Sequence, residues 1–304
     1  MFQPAIAANT SRNYTIIISD VKNDMAKEYC YSRFVPERTD DYAWENNRVA
    51  FRTFGPVAQK MKEDGVKGGT LSSGIDAWLK RVEYPIINKW YKRNDVKKGA
   101  YHKDHGEGLD NFHVGVSRGV GGIAVKVDTA YYFSKNFTSY KTITTGPIRT
   151  SFVLTYATWD ANGKQIEETK NISLDYGQNL SRFEIEIDGV NQISAGLTLH
   201  KKQGITSQNV TQNWISHWET LDDSELGTGI VSAKKYFSGF DKYISPKKDE
   251  SNLFAHLNVV NGKVVYYTGF GWKKSKHFAN KQEWGNYLTE FSKKINNPLV
   301  VTQL

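Results

Sequence analysis

The chain of 304 residues is 39% hydrophobic and 13% aromatic, a globular composition that can bury a large core and excludes a disordered polypeptide. Its formal net charge of +8 is spread along the chain without a basic tail, and no zinc-finger, recognition-helix or RNP signature occurs, so anionic small or polymeric partners are favoured over nucleic acid. No run approaches ~18 apolar residues and only one cysteine is present, which excludes a membrane-spanning helix and an intramolecular disulfide.

The first third of the chain predicts short strands followed by a helix. Three runs rich in β-branched and aromatic residues are typical of strands: 14–18, which ends at Ser19 and Asp20, then 29–36 and 44–56. Ser73 can cap a helix whose first turn holds Asp76, and the apolar residues that follow recur at helical spacing. We therefore predict a helical insertion around 73–92, with a kink near Pro85.

The remainder of the chain alternates strand patterns with turn signals. Alternating β-branched or aromatic residues mark the segments 123–132, 140–145, 148–158, 167–174, 180–187, 193–199, 229–233, 253–259 and 263–269. Turn pairs such as Asp188-Gly189 separate them, and an amphipathic helix over 281–295 follows. Many strands at this spacing, without an internal repeat, predict a single mainly β domain over 1–304 built as a large antiparallel β-sandwich with a few helices.

The stretch 101–122 concentrates titratable side chains on permissive backbone. It holds three of the seven histidines, three carboxylates, one arginine and six glycines. A binding or catalytic site needs both features, because polar side chains must converge on a ligand that the backbone also approaches closely. The alternative is a Gly-rich connection between strands, with its polar residues forming a solvated face. We interpret 101–122 as the functional loop.

One constellation in this loop suits acid–base chemistry on an acidic sugar. His102 or His105 can accept a proton near neutral pH, and Tyr101 can deliver one to a leaving oxygen. Arg52 and Arg118 can each clamp a carboxylate. These groups suit β-elimination from a uronic acid, since a cation on the carboxylate stabilises the charge that develops when the C5 proton is removed.

Two further sets of residues carry alternative roles. The loop could instead hold zinc or calcium, in a catalytic or a structural role, through His102, Asp104, His105, Glu107 and Asp110, although their spacing matches no standard template. Without a metal, Glu107 and Asp110 are candidates for binding substrate. Trp218 and Trp272 are candidates for a sugar-binding face together with His200, whose alternative is a satisfied or surface histidine. We expect no cofactor apart from that possible divalent metal.

Four segments together resemble a secreted bacterial family found in polysaccharide-degradation gene clusters and long described only as a domain of unknown function. They are Arg52-Thr53-Phe54-Gly55-Pro56, the loop from Tyr101 to Asp110 with Ser117 to Gly122, Gly146-Pro147-Ile148-Arg149-Thr150, and Tyr266-Tyr267-Thr268-Gly269-Phe270-Gly271-Trp272. The resemblance covers nearly the whole chain. The third segment is also similar to galactose-mutarotase-like sandwiches, which implies a mutarotase-like supersandwich.

The resemblance is to ulvan oligosaccharide dehydratases. It implies an enzyme that removes water by β-elimination from a non-reducing-end uronic acid and leaves a 4,5-unsaturated uronate. The alternatives are a polysaccharide lyase that cleaves a uronic-acid-containing glycan and a mutarotase-like protein that only binds carbohydrate. The family implies a periplasmic or secreted setting; since residues 1–13 lack signal-peptide features, we expect the leader to be missing from this sequence. Oligomeric state is left open.

Overall fold

The computed structural model describes residues 2–7, 9–18, 20 and 26–302. In chain order the elements are β1 (Tyr31–Val35), β2 (Asp41–Glu45), β3 (Ala50–Thr53), α1 (Pro56–Glu63), β4 (Asp76–Lys80), α2 (Ile87–Val96), β5 (Gly108–Leu109), β6 (Val120–Val127), β7 (Ala130–Tyr132), β8 (Phe137–Thr144), β9 (Arg149–Tyr156), β10 (Trp159–Ala161), β11 (Lys164–Asp175), β12 (Leu180–Asp188), β13 (Gln192–Thr198), β14 (Ile205–Asn209), β15 (Trp214–Leu221), β16 (Ser224–Ser232), β17 (Phe237–Tyr243), β18 (Asn252–Asn258), β19 (Lys263–Trp272) and α3 (Lys281–Asn296). Single 3-10 turns lie at Pro36–Arg38, Ala100–His102 and Lys273–Ser275. No helix in the described ranges has the length and apolarity to cross a membrane.

The strands form three antiparallel sheets. The largest has the order β14-β15-β16-β19-β12-β11-β9-β8, with β10 paired to β11. Two five-stranded sheets have the orders β1-β2-β3-β4-β5 and β17-β18-β13-β6-β7. The predicted fold class, a mainly β antiparallel sandwich with a few helices, is therefore confirmed.

Side chains of all three sheets meet in one hydrophobic core on the inner face of the largest sheet. Strand β12 shows the alternation that produces this face, since Phe183 and Ile185 are buried there while Glu184 and Glu186 are not. The sheet that begins with β1 contributes Trp44, whose Nε1 donates to Ser181 Oγ on β12 (3.0 Å). The β-branched and aromatic residues of the strands thus stabilise the fold mainly by burying apolar area.

Helix α3 covers part of the opposite face of the largest sheet. Its Trp284 and Leu288 are fully buried against three glycines: Gly227, Gly229 and Gly271. A Cβ on Gly227 would lie 2.8 Å from Trp284 Cδ1, so the absence of side chains on these strands makes room for the helix. The prediction of a helix over 281–295 is confirmed.

Helix α2 covers the outer face of the sheet that contains β3 and β4. The buried Glu45 carboxylate accepts from the backbone N–H groups of Ile86 and Ile87 at the start of the helix, where a negative charge is favoured. The same carboxylate lies 2.6 Å from the buried Lys80 Nζ. These contacts fix α2 above the strands that carry Arg52 and Asp76.

The prediction of one helix around 73–92 is wrong in its first half. Residues Asp76–Lys80 form β4, and the helix runs only over Ile87–Val96. Strand β4 is buried on both faces, because Trp78 packs under α2 while Leu79 enters the sandwich core. A strand buried on both faces shows no period-two alternation, so its apolar residues could be matched to a helical spacing.

The prediction of a strand over 14–18 is also wrong. These residues have no regular structure, and Ile16 and Ile18 are exposed; the predicted end at Ser19 lies outside the described residues. Besides β4, five strands were not predicted at all: β5, β10, β14, β15 and β17. The single cysteine, Cys30, is buried, and burial raises the pKa of its thiol to about 12.

Candidate functional site

A group of convergent polar side chains surrounds a cleft of about 500 Å³, a volume typical of ligand sites. Strands β3 and β4 contribute Arg52 and Asp76, the Ala100–His102 turn contributes His102, and the stretch after that turn contributes Asp110 and the segment 111–116. The other walls come from α1, with Lys62, and from the β17–β18 connection, with Lys248 and Asp249. Several separate parts of the chain therefore meet here.

Arg52 forms the floor of the cleft and is surrounded by three buried aspartates. Its Nε donates to Asp76 Oδ2 (2.7 Å) and its Nη2 to Asp110 Oδ2 (2.9 Å), while Nη1 lies 3.5 Å from Asp41 Oδ2. The register of the sheet accounts for the first contact, because Arg52 and Asp76 are directly opposite on β3 and β4. All three guanidinium nitrogens thus have partners within the protein.

Asp76 and Asp110 share the edge of the guanidinium that one carboxylate normally occupies in bidentate fashion. Burial, reinforced by the charge of Asp110, raises the pKa of Asp76 from 3.8 to about 7. Burial likewise raises the pKa of Asp110 to about 6. Asp76 Oδ1 has no hydrogen-bond partner among the described residues, although it is buried. Burial thus favours the protonated form of both carboxyl groups.

His102 presents an imidazole to this floor, with 54% of its side chain exposed. Its Nδ1 lies 2.6 Å from the backbone carbonyl oxygen of Asp110. A carbonyl oxygen can only accept, so Nδ1 carries a hydrogen and Nε2 of the neutral ring holds the free lone pair. No hydrogen bond engages Nε2 within the part of the chain that the structure describes. His102 is therefore the group in the cleft that is arranged to accept a proton.

A second histidine, His113, lies in the cleft wall next to Asp249. Its Nε2 is 2.8 Å from Asp249 Oδ2, and 59% of its side chain is exposed. Gly115 allows the wall to approach this carboxylate, since a Cβ there would lie 2.3 Å from Asp249 Oδ2 and its φ is +54°. The His113–Asp249 pair joins segments 136 residues apart in sequence.

His200 supports the same wall from behind. Its Nδ1 lies 2.6 Å from Glu219 Oε1 and its Nε2 lies 2.8 Å from the carbonyl oxygen of His113. Burial opposes the charged form, but the hydrogen bond and charge of Glu219 outweigh it and raise the pKa of His200. With acceptors on both nitrogens, His200 holds His113 in place and does not itself line the cleft.

Tyr101, His105 and Glu107 were predicted to act in the site, but the structure places all three outside the cleft. Tyr101 is 3% exposed and packs on Trp78, while its hydroxyl accepts from Arg38 Nε (3.1 Å). His105 is exposed at the surface. Glu107 turns towards α2, where it accepts from Lys89, Trp90 and Arg93. None of these three side chains therefore lines the cleft.

Arg118 is buried inside the sandwich, away from the cleft. Its Nη1 donates to Ser73 Oγ (2.9 Å), and its guanidinium lies 3.7 Å above the ring of Phe133. Burial lowers the pKa of Arg118 to about 9. The negative charge of Glu168, which is also buried, offsets only part of this lowering. Such a guanidinium has no surface on which to clamp a substrate carboxylate.

Trp218 and Trp272 are also core residues. Trp218 faces α3 and packs with Trp284, whereas Trp272 belongs to the main sandwich core. Both are at most 5% exposed, so neither ring presents a face for stacking on a sugar. The arrangement gives no support to the predicted sugar-binding surface.

The residues of the alternative metal site point in different directions. Asp104 pairs with Arg81 (2.8 Å), Glu107 with Lys89 (2.5 Å) and Asp110 with Arg52. In the described ranges no three histidine, cysteine or acidic side chains are grouped as a metal site would require. The five side chains therefore do not form one coordination site.

Comparison with known proteins assigns the chain to a family. Residues 1–301 match the family described as a domain of unknown function, DUF4861. The chain belongs to the DUF4861 family. It is also similar to a protein from Formosa agariphila that carries the name Uncharacterized protein P7. The two are 62% identical over 305 residues, which cover 99% of this chain and 77% of the relative.

Several cleft residues of this DUF4861 chain were missed by sequence reasoning. Asp76 was interpreted as part of the first turn of a helix, and no sequence pattern singled out Lys248. His113 lies within the predicted functional loop, but no template singles it out. No sequence pattern indicated Asp249 as a site residue, because only the fold brings the β17–β18 connection to this loop.

Proposed function

We propose that the chain is a carbohydrate-active dehydratase, a carbon–oxygen lyase that removes water from the non-reducing-end uronic acid of an ulvan-type oligosaccharide. The observation that carries this proposal is the combination at the cleft floor of a histidine with a free Nε2, His102, and two buried carboxyl groups, Asp76 and Asp110, on one edge of the Arg52 guanidinium. A β-elimination from a uronate needs a base for the C5 proton and a group that neutralises the adjacent carboxylate.

The roles follow from the contacts. A carboxyl group that keeps its proton near neutral pH can donate a hydrogen bond to the substrate carboxylate, as an acid held neutral by burial does. His102 Nε2 then takes the proton from C5. Arg52 does not bind the substrate carboxylate, since its hydrogen bonds go to Asp76 and Asp110; it holds the pair in position. The C5–H electrons form the C4–C5 double bond as the C4 hydroxyl leaves with a proton to form water.

The substrate class is supported by charge and by resemblance. Lys62 and Lys248 line the cleft, and the net charge of +8 favours an anionic ligand. The segments that resemble ulvan oligosaccharide dehydratases include Arg52, His102 and Asp110, which all lie at the floor. The proposal includes a periplasmic or secreted setting, as the resemblance implies.

The test compares two histidine variants on saturated uronate-terminated sulfated oligosaccharides. His102→Gln removes the base while retaining a polar side chain, and we expect at least a ~100-fold fall in the rate at which ultraviolet absorbance of the unsaturated uronate appears. His105→Gln is the matched control, because His105 is exposed outside the cleft, and it should keep the wild-type rate. Equal rates for His102→Gln and the wild type would overturn the assignment.

The same assay separates the neighbouring reaction classes by mass. A dehydratase lowers the mass of the oligosaccharide by one water without shortening it, whereas a polysaccharide lyase yields two shorter products. A mutarotase-like binding protein returns the sugar at its original mass. Only the first outcome supports the proposed function.

A further inference from the structure

The elimination described above leaves the C4 oxygen without a proton donor, because Tyr101 is buried away from the cleft. Hydroxide is a poor leaving group, so its departure as water requires a general acid. We propose that His113, oriented by Asp249, is that acid and protonates the C4 oxygen of the uronate. This inference rests on the proposed function and deepens it.

The geometry of the pair fits this role. Asp249 Oδ2 accepts from His113 Nε2 at 2.8 Å, which fixes the ring and leaves Nδ1 for the ligand. The hydrogen-bond partner of His113 is a carboxylate, which stabilises an imidazolium, whereas the short hydrogen bond of His102 Nδ1 goes to a backbone carbonyl and the Asp110 carboxyl oxygen lies farther away, at 3.5 Å. The two histidines of one cleft are therefore arranged for opposite directions of proton transfer.

The wall that carries His113 is held from two sides. His200 donates to the His113 carbonyl oxygen (2.8 Å), and this histidine is anchored by Glu219. On the other side Gly115 packs directly on Asp249, in a backbone conformation that favours glycine. Positioning by contacts of this kind is what a proton donor needs to reach one substrate atom.

The complete step balances. His102 gains the proton of C5, the C5–H pair becomes the π bond between C4 and C5, and the C4–O bond breaks with its electrons on oxygen. His113 gives that oxygen a proton and becomes neutral, so water leaves. Proton exchange with solvent returns both rings to their starting states.

A substrate pair separates this role from a structural one. The first substrate is a uronate-terminated oligosaccharide with its natural C4 hydroxyl, and the second carries fluorine at C4. Fluoride leaves without protonation, so its elimination needs the base but not the acid. We expect His113→Gln to lose at least ~100-fold in kcat with the hydroxyl substrate and to change little with the fluoro substrate. Asp249→Asn should show the same selectivity to a smaller extent.

His102→Gln provides the contrast, since loss of the base should slow both substrates. Thermal unfolding of each variant checks that the fold is retained. Equal losses on both substrates in His113→Gln, or no loss on either, would overturn the inference. If His113→Gln slowed both substrates and His102→Gln slowed only the hydroxyl substrate, each histidine would have the role assigned to the other. That result would also overturn the inference. A wild-type protein that eliminates neither group would instead refute the proposed function itself.

Discussion

At the residue scale, the floor of the cleft concentrates more negative than positive charge. Asp41, Asp76 and Asp110 surround Arg52, and burial raises the pKa of Asp41 as well, to about 6. Three ionised carboxylates around one guanidinium would leave excess buried charge, which is costly without water. A carboxyl group that retains its proton lowers this cost. The protonated carboxyl group that we propose for substrate binding therefore also affects the stability of the protein.

The linkage between this proton and stability gives a prediction for Asp76→Asn. The native state holds a proton that the unfolded state releases above pH 3.8, so the contribution of Asp76 to stability falls as pH rises through about 7. Asparagine can still accept from Arg52 but carries no charge. We therefore compare the free energy of unfolding of the variant with that of the wild type at each pH. We expect the difference, variant minus wild type, to increase by on the order of 2 kcal/mol from pH 5 to pH 8.

Urea unfolding at the two pH values measures this difference. Comparison with wild type cancels the contributions of the other titrating groups, including His200, whose raised pKa acts in the same direction. Asp95→Asn, at an exposed position of α2, is the control and should show the same difference from wild type at both pH values. A stability difference for Asp76→Asn that does not change with pH would contradict the raised pKa of Asp76.

Sequence reasoning identified part of this cluster. His102 and Asp110 could be singled out because they lie in one stretch rich in titratable residues and glycine. Asp76 could not, since its role depends on the β3–β4 register that sets it opposite Arg52. Arg118 was selected from the same stretch because an arginine can clamp a carboxylate, and only the fold shows that its side chain enters the core. Proximity in sequence predicts candidates, whereas burial decides which of them meet a ligand.

At the element scale, the contact of α3 with the largest sheet depends on which positions lack a side chain. Gly227 on β16 lies beneath the helix, and a Cβ there would be 2.5 Å from Trp218 Cε3. Gly285 lies within the helix, and its Cβ would meet only Trp214, at 3.7 Å, an ordinary contact distance. The two glycines therefore have different physical reasons to be present.

Replacing each of them by alanine should change stability in opposite directions. Gly227→Ala overpacks the interface, and we expect a loss of about 1–3 kcal/mol in the free energy of unfolding. Gly285→Ala removes a helix-destabilising residue without a clash and should gain about 0.5–1 kcal/mol. Chemical denaturation of both variants provides the measurement. A destabilised Gly285→Ala, or an unchanged Gly227→Ala, would show that α3 does not pack as described.

Elements were predictable where one face only is buried. Strand β12 alternates buried and partly exposed residues, and α3 carries its apolar residues on one side, so both gave clear periodic signals. Strand β4 is buried on both faces and was taken for a helix. Strand β14 is short and polar, which left no signal to detect. The errors follow from how each element is buried.

At the scale of the whole molecule, the sandwich class could be predicted but the order of the strands could not. The central pairings are between strands far apart in sequence, such as β12 with β19, and local patterns carry no information about them. The cleft depends on the same long-range order, because Asp249 reaches His113 only when the β17–β18 connection lies beside the 101–122 stretch. This arrangement unites His102, the carboxyl pair and His113 in one cavity.

The most direct test of this account is mass spectrometry of a saturated, uronate-terminated, sulfated oligosaccharide incubated with the purified wild-type protein. We predict a product lighter by one water, of unchanged chain length, with the ultraviolet absorbance of a C4–C5 double bond conjugated to the carboxylate. An oligosaccharide recovered at its original mass across a panel of uronate substrates would contradict the central claim and leave the cleft as a site for binding alone.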